Sequence, residues 1–449
     1  MKSIGSLLLL VMTWGLSGCE KFLDEKSDKQ LIVPSSLGDL QSLIDDFSSV
    51  NSSDPGVGEL ASDDYYLTDD VWAARKEEDQ RAYIWEPDYS VTETTWFTSY
   101  RTVYYTNIIL EQLGKIERGS DNQREWDNVK GQAHFLRARN FLQVAAIWSL
   151  AYDPNTASED LGIPLRLSSD FNIPSKRSSV KETYEQIVAD LEQAISLLPV
   201  IPRHVLRPSK PAAHALLARA YLFMGDYENC FLHADASLGM KSDLMDYSVL
   251  DGGKTYPIPL FNEEILYYSV AAPATNPTIN VNNANVDTVL YSWYDDGDLR
   301  KDLFFSENAN GTHRIRGNYS GNSSRFFGLA VDEVYLMRAE CHTRAGNIAD
   351  ALKDVNHLLA HRYRDDQQIG ITDQQELLAY ILRERRKELL FRGIRFPDVK
   401  RQNKENGNIE FKRILNGQEY VLPPNDLRFA LSIPEGVIER GPLIVQNPR

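Results

Sequence analysis

Two stretches of this chain carry the apolar spacing of paired helices joined by a tight turn. In residues 331–361 (VDEVYLMRAECHTRAGNIADALKDVNHLLAH), Val331, Val334, Tyr335, Leu336, Ala339 and Cys341 fall mostly three or four positions apart. That is the spacing of one buried helical face. Gly346-Asn347 stops the helix, because both residues tolerate the left-handed conformation that a sharp turn requires. A second helix follows, with Ile348, Ala351, Leu352, Val355, Leu358 and Leu359 on its apolar side. Residues 212–240 repeat the plan. Aligning Gly225 with Gly346 places Ala218 on Ala339, Tyr221 on His342 and Cys230 on Ala351. Small residues recur where two helices must approach closely.

A helix-turn-helix unit of this length resembles the tetratricopeptide repeat, whose period is about 34 residues. The two copies stand far apart, so the chain is not a simple tandem array. Two ordinary hairpins in an α-rich core are the alternative reading; the match of small-residue positions favours the repeat. Further helices are predicted from Ser35 or Ser36 as a cap before Leu37, over 94–116, 123–148, 180–198 and 375–391. Between them, 51–90 and 153–179 read as loops, and 241–327 changes period, with a Pro/Asn-rich run and turns at Gly311, Gly317 and Gly321. After 391 the chain reads as mostly irregular. The expected fold is mainly α, a single frame of tetratricopeptide-like hairpins with long loop and short β-ribbon insertions. Residues 35–240 form an N-terminal helical region. Residues 241–449 form a C-terminal region carrying a ligand-loop insertion at about 271–328, and the two are expected to pack as one unit.

Charged residues at 25% and hydrophobic residues at 42% are ordinary for a globular chain of 449 residues. The net charge of −16 excludes a nucleic-acid-backbone binder, which would present a basic face. At the N-terminus, Lys2 precedes a largely apolar run over 4–15. That run is short of the roughly 20 residues that span a bilayer, but it suits a secretory signal. It ends at Leu16-Ser17-Gly18-Cys19, which resembles the bacterial lipobox. Residues 1–18 are therefore expected to be removed, leaving a lipidated Cys19 and a tether over 19–34 that anchor the protein to a membrane. Cys230 and Cys341 sit one in each hairpin and read as free, buried thiols.

Several motifs stand together in order: CEKFLDEKSD after the lipobox, W-x-x-x-Y-x-x-x-Y-x-x-N from Trp96 to Asn107, D-x-R from Asp298 to Arg300, DEVYLMRAECHTRAGNIADAL, and ILRERRKELLFRGIRFPDVKR. This combination resembles the SusD/RagB family of nutrient-uptake lipoproteins of Bacteroidetes. The resemblance implies a helical, repeat-containing fold on the outer face of the outer membrane. It implies a protein that binds glycans or peptides, caps a SusC-like TonB-dependent transporter, and neither catalyses a reaction nor needs a cofactor. One departure is Arg392 before Gly393, where the family carries an acidic residue, so a local ion pair is expected to be rewired.

Capture of an oligomer calls for flat apolar rings with amides and carboxylates beside them. Trp72, Trp293 and Tyr294 lie in loop-like text near Asn282, Asn283 and Asp295, and these six are the candidate ligand residues. Packing against the frame is the alternative for each ring. Trp96 and Trp148 read as core. The cluster Asp63, Asp64, Asp69 and Asp70 reads as a solvated acidic loop rather than a calcium site, since it lacks the spacing of a calcium loop. The run 383–388 (RERRKE) alternates in sign and reads as structural, with Arg385 and Glu388 spaced as a helix-surface pair. Enzyme signatures fail one by one. Gly252-Gly253-Lys254-Thr255 lacks the first glycine of a phosphate loop, and Ser320 is one place late for a nucleophile elbow. With 64 acidic residues, a glycosidase carboxylate pair stays open. A scaffold that binds only proteins is the third reading.

Overall fold

The computed structural model describes residues 34–87, 93–272 and 284–449. Ten helices make the frame: α1 (Leu37–Ile44), α2 (Glu93–Leu113), α3 (Gln123–Trp148), α4 (Val180–Leu197), α5 (Lys210–Met224), α6 (Tyr227–Leu238), α7 (Val331–Arg344), α8 (Ile348–Ala360), α9 (Gln374–Glu388) and α10 (Arg395–Lys404). Packing runs successively from α2 through α3, α4, α5, α6 and α7 to α8, and α9 lies against α7. This is the tetratricopeptide-like, mainly α architecture expected from the hairpins.

Local chemistry explains the boundaries. Ser179 caps α4 in a reciprocal pair with Glu182, and Ser209 caps α5 with Pro211 in its first turn. Gly225 ends α5 at φ +73° and Gly346 follows α7 at φ +80°. Both turns use the left-handed region that glycine enters without a Cβ penalty. Close approach elsewhere also needs small residues. A Cβ on Gly131 of α3 would stand 3.0 Å from the Leu197 side chain, so α3 and α4 are seated backbone to side chain. Ala218 and Ala339, superposed in the two hairpins, are both fully buried.

One large hydrophobic cluster unites the helices with residues from the 241–330 segment, and a smaller one joins Ala339, Ala351, Val355, Leu359, Leu377 and Ile381 under α7, α8 and α9. The strands form five two-stranded antiparallel ribbons among the described residues. Cys230 and Cys341 are free and buried, and burial pushes the Cys230 thiol well above its usual value.

Three expectations need correction. The chain after 391 is structured: α10 is followed by the hairpin Phe411–Leu415 with Gln418–Leu422, and by a short helix Glu435–Arg440. The hairpin turns on Asn416-Gly417, at φ +49° and +75°, the tight turn that Asn-Gly favours. Of the acidic cluster, Asp63 and Asp64 are not solvated, since Asp64 is 1% exposed and both are ion-paired, whereas Asp69 and Asp70 are exposed in the first turn of a short helix, Asp69–Ala73. Finally, Arg385 and Glu388 are not a helix-surface pair. Both are buried; Arg385 bonds Asp398 at 2.8 Å and Glu388 bonds Arg362 at 2.8 Å.

Candidate ligand-binding face

The loops carrying Trp72 and Trp293 are joined through a two-residue ribbon. Tyr65–Tyr66 pairs antiparallel with Asn285–Val286, and Asp287 N–H donates to the Asp64 carbonyl at 2.9 Å. Asp287 then caps the helix Thr288–Ser292 by accepting from Leu290 N–H at 2.8 Å, and Trp293 closes that helix. Its half-buried ring has the Arg386 guanidinium 5.4 Å from its centre. Arg386 in turn bonds Asp64 at 2.9 Å and lies 3.2 Å from Asp63. Burial works to raise the Asp63 pKa, but the Arg395 and Arg386 guanidiniums outweigh it and hold that carboxyl well below the usual range. On Asp64 burial prevails and its pKa is raised. The platform under Trp293 is therefore braced by charge, not left to side-chain motion.

Below this platform lies a closed ionic network. Arg300 donates to both Asp298 oxygens at 2.7 and 2.8 Å, to Glu388 at 2.7 Å, and pairs with Glu384. Lys387 lies 2.8 Å from Asp298, and Arg362 joins Glu388 to Glu264 at 2.8 Å each. Burial raises the Glu264 carboxyl to about 7. Asp298, Glu264, Glu384 and Glu388 are each no more than 2% exposed, so these carboxylates cannot meet a glycosidic bond in solution. The D-x-R and RERRKE motifs are thus two halves of one internal clamp. The predicted departure at Arg392 has its own partner: Arg392 bonds Asp332, in the first turn of α7, at 2.5 Å.

The six candidate ligand residues separate sharply. Trp293 and Trp72 are half-buried. Trp72 lies on a short helix, Asp69–Ala73, rather than in a loop, and its indole N–H donates to the Gln80 carbonyl at 3.1 Å. Tyr294 is a correction. It is 2% exposed, its hydroxyl donates to the Lys387 carbonyl at 2.7 Å, and its ring packs edge-on to Phe305, so it is core and offers no face to a ligand. Asp295 is exposed, but one oxygen accepts from the Gly297 and Asp298 N–H groups and thereby shapes the turn. Asn282 and Asn283 lie outside the described residues, as does Cys19.

Other groups on the same face escape sequence reasoning. Tyr291 stacks on His313 with ring centres 3.6 Å apart, and burial lowers the His313 pKa. Asn285 accepts from Asn308 at 3.1 Å and from Thr312 at 2.9 Å. The available signal was the Asn308-to-Gly311 turn, which folds the ribbon Phe305–Glu307 with His313–Ile315 back over Asn285. Tyr66, Tyr291, Trp293 and His313 are thus each half-buried, with the Tyr291–His313 stack on one ribbon and the Arg386 guanidinium against Trp293. Such groups can cover apolar C–H faces and hydrogen-bond hydroxyls. Among the described residues no group of three or more potential ligands could hold a metal ion. No helix among them is long and apolar enough to cross a membrane.

Comparison with known proteins places this geometry in context. A family profile described as "Starch-binding associating with outer membrane" matches residues 21–222, and a second, described as "SusD family", matches residues 306–449. The chain is 21% identical to SusD-like protein P38 of Formosa agariphila, over 78% of this chain and 80% of that protein. Among solved structures it is similar to a putative sugar binding protein from Bacteroides vulgatus, with 22% identity, TM-score 0.77, and coverage of 92% of this chain and 98% of that one. A SusD superfamily protein from Bacteroides thetaiotaomicron gives 23% identity, TM-score 0.73, and coverage of 92% and 100%. A SusD-like carbohydrate binding protein from Bacteroides vulgatus gives 20% identity, TM-score 0.70, and coverage of 91% and 97%.

Proposed function

Because the chain belongs to the SusD/RagB family, we propose that it is a non-catalytic lipoprotein on the outer face of the outer membrane that captures an oligosaccharide. It delivers this ligand to a partner SusC-like TonB-dependent transporter. The observation that carries the glycan reading is the half-buried Trp293 ring held on Arg386, together with the Tyr291–His313 stack and the Asn285–Asn308 amide pair on the neighbouring ribbon. Sugar-binding descriptions of similar structures support a glycan over a peptide. No bond is made or broken in this scheme. Capture raises the ligand concentration at the transporter mouth, and lid-like movement on the barrel passes the ligand inward. A lipid on Cys19 supplies the attachment.

Calorimetric titration against panels of glycans and peptides tests this directly. Saturable binding with the glycan recovered intact is the expected result; progressive shortening of the glycan would instead mark a glycosidase. Trp293→Ala and Trp72→Ala are each expected to weaken binding by about 1–3 kcal/mol, by analogy with stacking of other planar ligands on aromatic rings. Unchanged affinity in either variant removes that ring from the site. Cys19→Ser is expected to move the protein from the membrane fraction to the soluble one, and retention in the membrane contradicts the anchor.

A further inference from the structure

Trp293 lines neither of two surface clefts beside the segment 164–178. These clefts, about 720 and 740 Å³, open on either side of the segment, within the size range of ligand sites. They share Arg166, Ser168, Ile173 and Ser175, so they form one trough divided by a single braced loop. The bracing comes from both directions. The Arg166 guanidinium donates to the carbonyls of Asp170 and Ile173 within the loop. From α2, Asn107 donates to the carbonyls of Arg166 and Ser168 at 2.9 and 3.3 Å, and Glu111 accepts from Ser169 N–H at 2.8 Å.

That bracing holds Phe171 out in solvent. Its ring is 77% exposed and stands 5.9 Å from Tyr104, while Phe97, at the start of α2, is 61% exposed in the wall of the same cleft. Burying a phenylalanine side chain is favourable. A loop tied down at this many points yet presenting its one aromatic ring outward is shaped for a contact, and the fixed ring loses little entropy on binding. Behind these rings Trp96 stacks on Tyr100 at 5.1 Å. The other side of the trough is mixed: exposed Leu167 stands with Lys176 and Glu185, also exposed, and half-buried Gln186. Rings at one end, with amide, carboxylate and ammonium heads at the other, match a molecule that alternates apolar C–H faces with hydroxyls. The lining carries charge of both signs, Arg166, Lys176 and Arg177 with Glu182 and Glu185, so it does not single out a charged sugar.

We propose that this trough is a second carbohydrate subsite, distinct from the Trp293 face, which takes a neutral oligosaccharide against Phe97 and Phe171. It rests on the reading of the protein as a glycan binder. Two subsites on one molecule would hold a long glycan at two points and so favour long chains over short ones by effective concentration.

The test is titration of the full chain in detergent with malto-, cello-, laminari- and xylohexaose and with an oligogalacturonate, comparing wild type, Trp293→Ala and the double variant Phe97→Ala/Phe171→Ala. Both phenylalanines are exposed, so the double variant is expected to melt with wild type. The expected result is two sites for a neutral hexaose, with one weakened about tenfold or more in the double variant while Trp293→Ala spares it. Neutral-sugar binding unchanged in the double variant but lost in Trp293→Ala overturns the trough and leaves the proposed function standing. Binding of none of these sugars overturns both. Preference of the trough for the oligogalacturonate overturns the neutral class. If the double variant binds sugars normally but no longer retains the transporter, the trough is a protein-docking surface and the inference fails.

Discussion

Replacing Arg300 by Met is expected to destabilise the fold by about 3–5 kcal/mol, read as a shift of the denaturant midpoint. The residue is fully buried and ties together Asp298, Glu384 and Glu388, three carboxylates that have no access to water. With Arg300 gone, Lys387 and Arg362 alone would face these three and Glu264. Methionine restores the stem's volume but donates no hydrogen bond, so the penalty is that of uncompensated buried charge rather than of a cavity. Arg300→Lys is expected to recover only part of the loss, because an ammonium cannot reproduce the fork that grips both Asp298 oxygens. Lys301→Ala is the matched control. Lys301 meets Asp296 in solvent, so its removal is expected to leave the midpoint in place. A wild-type midpoint in Arg300→Met would mean that the clamp under the Trp293 platform is not what holds α9 against the helix Leu299–Phe304.

That clamp also shows where sequence reasoning stops. The hairpins could be read because their information is local: apolar spacing of three and four, a glycine turn, and alanines at the close contact. The RERRKE run gives no such cue. Alternating charge on a helix looks the same whether its partners are solvent or the distant Asp298, Arg300 and Arg362, so burial there is decided by tertiary packing. The same applies to α10, whose buried Asp398, Lys400 and Arg401 conceal any apolar stripe. Tyr294 and Trp293 make the point at the site. They are adjacent and aromatic, yet the turn after the helix Thr288–Ser292 sends one ring inward and leaves the other half-exposed. Only the backbone direction separates them. The trough was illegible for a further reason: the loop Phe171 sits on looks like any polar loop, and its bracing by Asn107 and Glu111 spans more than fifty positions. The Asn416-Gly417 hairpin is a different kind of miss: Asn-Gly between Phe411–Leu415 and Gln418–Leu422 is a strong local turn signal, and reading the chain after 391 as irregular overlooked it.

Trp148→Ala couples stability to the trough and separates its two roles. Trp148 ends α3, is fully buried, and donates its indole N–H to the Ser432 carbonyl at 3.2 Å. Truncating such a ring is expected to cost about 3–5 kcal/mol. Its ring meets Trp96 edge to face with ring centres 5.2 Å apart, and Trp96 stacks on Tyr100, whose hydroxyl donates to the Pro164 carbonyl at 2.9 Å. The void therefore opens directly behind the aromatic floor of the trough and under the first residue of its braced loop. Well below the lowered melting midpoint, Trp148→Ala is expected to lose the Phe97/Phe171 subsite while keeping binding at the Trp293 face, which other elements carry. Trp148→Phe is expected to recover most of the stability and the floor, short by the penalty of leaving the Ser432 carbonyl without its donor. Equal loss of both subsites would mean that the variant is globally loosened and that the rings behind Phe97 do not set the trough's shape. Selective loss would assign them that role, since a support one layer behind the contact can matter only by fixing the rings in front of it.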